Sequence, residues 1–301
     1  MAGEDGVSQR LHGSLMIIAS AVCFGLLPIF ARFAYAEGAK IFDLLFVRFV
    51  LAFLMLGIYL SWQKKIRLPS KRVLLTLLGM GAIGYFMSST FYFSALLYIP
   101  VSVVVLILYT YPAFVTGLSF VFGFDRISFR LMLSLLCAMV GLVLVANPIF
   151  NLSPIGPLLA LGASLAYTGF ILVGSRFLKN MEGEESTFYI LGATALSFGI
   201  LGSFSGGLNI SWNIDGWIWV ILIAFVSTTL SMTLFFKGLR LIGPSRTSIL
   251  STAELVTSVV MAFIIFNETL TSLQFVGALL IITAALLAAT SHKRGTTTRN
   301  N

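Results

Sequence analysis

Ten stretches of this chain stay apolar for about twenty residues each, and short polar segments separate them. They lie near residues 13–34, 42–62, 73–94, 99–122, 129–147, 156–177, 186–206, 214–236, 245–266 and 272–290. About 20 apolar residues is what a helix needs to cross a bilayer. A backbone in lipid must satisfy its own hydrogen bonds, so helices and closed barrels are the only spanning forms. Barrel strands would be about ten residues long with alternating polarity. These runs are longer and do not alternate, so the pattern predicts an all-α membrane protein of ten transmembrane helices. The first run follows Arg10 and holds Ala19-Ser20-Ala21, which mimics a signal-peptide cleavage site. It continues past Phe30, so it reads as an uncleaved first helix. The flanks Met1–His12 and Ser291–Asn301 are polar and are expected to lie outside the helices.

Composition agrees with the pattern and narrows the chemistry. The 301 residues are 58% hydrophobic and 10% charged, against roughly 25% charged in a soluble domain. The net charge of +8 would suggest nucleic acid in a soluble protein. Here the charges fall between apolar runs, so no nucleic-acid partner is expected. Cys23 and Cys137 both lie inside apolar runs, which makes neither a disulfide framework nor a metal spacing. His12 and His292 sit at the two ends, so no metal cluster and no cofactor is expected. Gly206-Gly207 reads as a lone turn, and no phosphate-binding Gly-Lys-Ser/Thr loop is present.

Charge also gives an orientation. With a cytoplasmic N-terminus, the cytoplasmic segments hold Arg10; Lys64, Lys65, Arg67, Lys71 and Arg72; Arg126 and Arg130; Arg176 and Lys179; Lys237, Arg240 and Arg246; and Lys293, Arg294 and Arg299. The opposite side holds Arg32 and Lys40, with Arg48 inside the second helix. The positive-inside rule then predicts both termini in the cytoplasm of a multi-pass inner or plasma membrane protein.

The two halves resemble each other. An offset of 143 residues carries Gly13 onto Gly156, Leu15 onto Leu158, Ser88 onto Ser231 and Thr90 onto Thr233. It also carries Phe93 onto Phe236, Ile99 onto Ile242, Asp125 onto Glu268 and Tyr111 onto Glu254. The expected units are 1–149 and 150–301, each of five helices. Five is odd, so the second half enters the membrane from the opposite side. Inverted repeats of this kind give two conformations of similar energy, one open to each side.

The residues Phe93-Ser-Ala-Leu-Leu-Tyr-Ile-Pro100 with Tyr111-Pro112 mark the first half. Phe236-Lys-Gly-Leu-Arg-Leu-Ile-Gly243, Glu254, Asn267-Glu268-Thr-Leu270 and Gly277 mark the second. With Arg48, this set resembles the drug/metabolite transporter superfamily, specifically its EamA-type members with two repeated domains. The family often has Glu-Pro in its ninth helix, whereas Leu255 follows Glu254 here. The resemblance implies ten helices and secondary transport, often export, of amino acids or other small metabolites.

Glu254 is the first candidate for chemistry. It lies about ten residues into the ninth helix, about 15 Å deep and near the middle of a ~30 Å core. An ionised carboxylate there must be paired, protonated or bathed by a wet cavity. Burial disfavours its charge and a nearby cation favours it, so a balanced group takes a proton from one side and releases it to the other. A neutral Glu that only bonds neighbouring helices is the competing reading. Arg48, about 9 Å deep, is a candidate for a substrate carboxylate or for pairing with Glu254; the alternative is an Arg that snorkels outward or caps loop carbonyls. Pro112 lacks an N–H and should free the carbonyl near Leu108, kinking the fourth helix beside Tyr111. Ser88 and Ser231 could line a central path or simply pack helices, and Gly79, Gly81 and Gly84 are read as packing residues. Tyr85, Tyr92, Tyr109 and Tyr167 are deep enough to face a cavity. Tyr98, Trp62, Trp212, Trp217 and Trp219 lie near helix ends and are assigned to the interfacial belt.

The expected activity is secondary transport of a small molecule, amino acid-like or another small organic solute. The expected route is export by alternating access, with proton coupling through Glu254. A non-transporting scaffold and an intramembrane enzyme are the alternatives, and no catalytic cluster favours the enzyme. The lipid bilayer is an expected partner, and a homodimer stays open.

Overall fold

The computed structural model describes residues 2–66, 68–95, 98–99, 101–124, 128–146, 154–178, 181–204, 210–266 and 271–290. Arg67, Leu96, Leu97, Pro100, Asp125, Arg126, Lys179, Gly206-Gly207, Asn267–Leu270 and the tail from Ser291 lie outside them. The described residues are helical throughout their regular structure, without strands. Among the described residues nine helices are long and apolar enough to cross a membrane: α1 (Ser8–Ala36), α2 (Ile41–Trp62), α3 (Lys71–Ala95), α4 (Val103–Val121), α6 (Ile155–Phe177), α7 (Gly183–Ser203), α8 (Ile214–Ile242), α9 (Pro244–Phe266) and α10 (Ser272–Thr290). A shorter apolar helix, α5 (Phe129–Val145), completes ten.

Two helices depart from the sequence expectation, α1 in two places and α8 in one. The N-terminal flank is helical from Ala2, not a loose polar tail. The first helix is also interrupted at Leu26 and restarts at Leu27 with Pro28 in its first turn, where the missing N–H costs nothing. And α8 runs six residues past the predicted end, to Ile242. It stops because Gly243 adopts φ 81°, and Pro244 begins α9 directly.

The halves interleave. Helix α1 packs on α8 and α9, α6 packs on α3 and α4, α2 on α7, and α5 on α10. These contacts repeat residue by residue at the predicted offset. A methyl group on Gly13 would lie 2.7 Å from Ile242 Cγ2, and one on Gly156 would lie 2.5 Å from Ile99 Cγ2. Ser20 Oγ donates to the Ser231 carbonyl at 2.7 Å, and Ser88 Oγ donates to the Ala163 carbonyl at 3.1 Å. Each pair of residues maps onto the other under 143 positions, with the hydrogen bond running in the opposite direction, so the two crossings match in position.

Close backbone approach holds the remaining seams. Phe46 and Phe53 of α2 seat in notches left by Gly199 and Gly192 of α7, and Phe188 of α7 seats against Gly57. Where α5 meets α10, a methyl group on Gly141 would lie 2.7 Å from the Gly277 carbonyl oxygen, and the reverse distance is also 2.7 Å. Small residues let membrane helices approach this closely, and packing contacts then drive association. Gly277→Leu is therefore expected to force α5 from α10 and destabilise the fold by about 1–3 kcal/mol. Gly79→Leu should not, because a methyl group there meets nothing within 4 Å. Thermal unfolding in detergent checks the contrast, and equal midpoints for the two variants would overturn it.

Each half also carries the same irregularities. Helices α3 and α8 each contain one six-residue π turn, Met80–Tyr85 and Phe225–Leu230. Helices α4 and α9 each break in the middle, at Tyr109-Thr110 and at Ser251-Thr252. At both breaks a threonine folds back on the residue three before it. Thr110 Oγ1 donates to the Ile107 carbonyl and Thr252 Oγ1 to the Ile249 carbonyl, each at 2.7 Å. The break in α9 forms without a proline. The local register is one short of 143 at the breaks and two over at the π turns. Thr110 thus matches Thr252, and Pro112, not Tyr111, stands opposite Glu254.

Candidate functional site

Three discontinuities meet around Glu254. It is the second residue after α9 restarts at Ala253. Its backbone carbonyl would lie 2.7 Å from a methyl group on Gly25, the residue just before the break in α1. Ser258 Oγ donates to the Gly25 carbonyl at 2.9 Å and fixes that approach. Glu254 is neither sealed nor exposed; it is partly accessible within the bundle. The Tyr109 hydroxyl, at the break in α4, faces its carboxylate.

Arg48 turns inward. It is 3% exposed, so it does not snorkel. Its Nε donates to Thr228 Oγ1 at 2.6 Å, within the π turn of α8. A longer contact, 3.5 Å, runs from its Nη2 to the Ser227 carbonyl. The guanidinium also faces Tyr85, the last residue of the π turn in α3. One arginine thus bridges both π turns. A π turn widens the helix by one residue and leaves groups free to bind a neighbour, which is why such turns gather at functional sites. Arg48 and Glu254 lie within electrostatic reach but form no ion pair.

An unbroken file of aromatic rings connects the two charges. Phe49 packs on Tyr85 at 5.6 Å between centroids, Tyr85 on Phe170 at 5.3 Å, and Phe170 on Tyr167 at 5.8 Å. Tyr167 then meets Tyr111 edge-on at 4.9 Å, and Tyr111 meets Tyr109 at 5.6 Å. The file begins beside Arg48 and ends beside Glu254. Tyr85, Tyr111 and Tyr167, expected on depth and symmetry, all belong to it. Such a wall offers ring faces to apolar or cationic groups and hydroxyls to polar ones.

Other expected residues go elsewhere. Ser88 and Ser231 occupy the symmetric helix crossings described above. Gly81 packs tightly, since a methyl group there would lie 2.3 Å from the Ile190 carbonyl, but Gly79 faces open space. Trp212 is only 9% exposed, so it is not a belt residue, while Trp217 and Trp219 are partly exposed and pack on Trp212 and on Phe33. Trp62, 83% exposed, fits the belt. Sequence reasoning left out Thr228 and Gly25, and it named Tyr109 only as deep enough to face a cavity, not as the partner of Glu254. Among the described residues no group of His, Cys, Asp and Glu could hold a metal ion.

Comparison with known proteins agrees with the two-repeat fold. Residues 11–147 and 154–290 each match the model of the EamA-like transporter family. The chain is 26% identical to an uncharacterized transporter of Archaeoglobus fulgidus, over 92% of this chain and 96% of that one. It is 23% identical to the uncharacterized transporter YcbK of Bacillus subtilis, over 91% of each. A crystal structure of a protein 18% identical superposes with a TM-score of 0.80 over 92% of this chain and 96% of that one. That last likeness concerns the fold alone.

Proposed function

We propose that this chain, which belongs to the EamA-like transporter family, is a secondary transporter that exports a small amino acid-like or similar organic solute across the inner or plasma membrane. It is a multi-pass membrane transporter; the substrate, direction and mechanism are our reading. The observation that carries it is the aromatic wall strung between Arg48 and Glu254 where α1, α4 and α9 are broken. Discontinuous helices at the interface of inverted repeats are where transporters bind substrates. An amino acid-like solute has a carboxylate for Arg48 and a cationic group for the tyrosine faces and Glu254.

Alternating access is supported by two clasps in corresponding places. The Arg32 guanidinium sits 3.9 Å over the Phe266 ring, joining the ends of α1 and α9. The Arg176 guanidinium sits 5.9 Å over the Phe124 ring, joining the ends of α6 and α4. The 143-residue relation carries one pair onto the other to within one residue. The first clasp is drawn in, and the second is loose. Phe33 reinforces the first by packing on Phe266 at 5.4 Å. This asymmetry supports a conformation shut on the Arg32 side.

The loop charges support placing both termini in the cytoplasm, which puts the Arg32 clasp outside. Vesicles containing the purified protein test the whole reading, loaded with amino acid-like solutes and assayed with and without a pH gradient. Release of one or more solutes above empty vesicles is expected, and a fluorescent reporter on the C-terminus should shine from the cytoplasm. Absence of flux for every solute in the panel would return the protein to the scaffold reading.

A further inference from the structure

The surface also carries an apolar groove, which touches the aromatic file between Arg48 and Glu254 only at Phe170. It lies between α3 and α6 and has a volume of about 770 Å³, with Thr76 and Phe177 at one end and Phe91 at the other. A smaller hollow of about 210 Å³ continues it past Phe91 to Leu158. Missing side chains open the groove, not parted helices. Methyl groups on Gly79 or Gly169 would meet nothing within 4 Å. Yet α3 and α6 remain joined beside it through Ser88 and the Ala163 carbonyl. From Thr76 to Phe91 the groove spans about 22 Å at 1.5 Å per residue. One leaflet of a ~30 Å core is about 15 Å deep, so a whole acyl chain fits. An unfilled slot would forfeit the dispersion contacts of its lining.

The Thr76 end is positive. The Arg72 guanidinium lies 5.8 Å from the centroid of the Phe177 ring that closes the groove. Thr76 Oγ1, one turn on, donates to the Arg72 carbonyl at 2.9 Å. Arg72 and Lys71 are both exposed, and neither forms an ion pair among the described residues. They stand in the first turn of α3, where the helix dipole adds positive potential. Apolar trough and cationic rim together match an amphiphile with an anionic head.

We propose that the α3–α6 groove holds one anionic phospholipid, its acyl chain against Gly79 and Gly169 and its phosphate on Arg72 and Lys71. The proposal is independent of the transport reading, because it concerns lipid retention and not flux. The test is native mass spectrometry of the full chain, purified with equal phosphatidylglycerol and phosphatidylcholine of matched acyl chains. The wild type is expected to retain phosphatidylglycerol preferentially. Arg72→Gln should lower that preference about fivefold, the factor for one basic residue at an anionic surface, while acyl retention continues. Gly169→Phe, pointing into open groove, should lose both lipids. Gly79→Leu fills the groove from the opposite wall and serves should Gly169→Phe fail to fold. Equal retention of the two lipids by the wild type, or a preference unchanged in Arg72→Gln, overturns the proposal. So does lipid retention unchanged in the groove-filling variants, or a dimer that those variants split, which would put a second copy in the groove.

Discussion

Glu254→Gln is expected to abolish solute flux driven by a pH gradient while leaving the protein folded in the membrane. The amide keeps the size of the carboxylate and can still bond Tyr109, so the break in α9 and its contact with Gly25 should survive. What is lost is the exchangeable proton. An ionisable group inside a membrane is costly and is retained for ion pathways and proton relays. Glu254 stands where such a relay needs it, partly accessible from within and shared among three broken helices. In reconstituted vesicles, uphill movement should fall to the level of empty vesicles, while downhill exchange of solute for solute persists. Uphill flux unchanged in the variant would remove Glu254 from coupling and leave it a helix-bonding residue.

Phe266→Ala is expected to shift the conformational balance toward opening on the Arg32 side. A cation–π contact contributes about 0.5–2 kcal/mol, depending on how dry it is. Losing it should raise the population open on that side about two- to thirtyfold. The readout is the labelling rate of Tyr167→Cys by a membrane-impermeant thiol reagent, with Cys23 and Cys137 replaced by serine. Phe124→Ala should favour labelling from the other side and do so more weakly, because its clasp is already loose at 5.9 Å. Labelling rates that ignore both substitutions would show that these rings do not gate access to Tyr167.

The large features were legible because they depend on burial and period. Apolar run length gave the ten helices, and a single offset found Gly13 with Gly156 and Ile99 with Ile242 before any contact was known. The depth of Glu254 needed only a count along α9. Other features depend on competition within the backbone. The break in α4 has Pro112 to announce it. Its counterpart in α9 rests on Ser251 and Thr252 hydroxyls turning back on carbonyls, and serines and threonines do the same in unbroken helices. The π turns leave no composition in common: Met80–Tyr85 holds two glycines, and Phe225–Leu230 holds none. At the breaks in α4 and α9 the offset is one short of 143, which is why a constant 143 sets Tyr111, in place of Pro112, against Glu254. Arg48 misleads for a related reason. Its depth allows an outward path, and groups on both π turns, Thr228 and Ser227 in α8 and Tyr85 in α3, draw it inward. Trp212 lies near a helix end in sequence, yet its packing on Trp217 and its neighbours buries it.

The interleaving of the halves also bears on how the protein is made. Every helix of the first half has its main partner in the second: α1 in α8, α2 in α7, α3 and α4 in α6, α5 in α10. Helices emerge from the ribosome in order, so five of them enter the bilayer before most of their partners are synthesised. Until then the glycine notches at Gly13, Gly57 and Gly141 face lipid. The nascent first half is therefore a set of inserted but unassembled helices, and tertiary structure forms as the second half threads between them. The repeats are units of sequence and symmetry, while the unit of assembly is the whole chain.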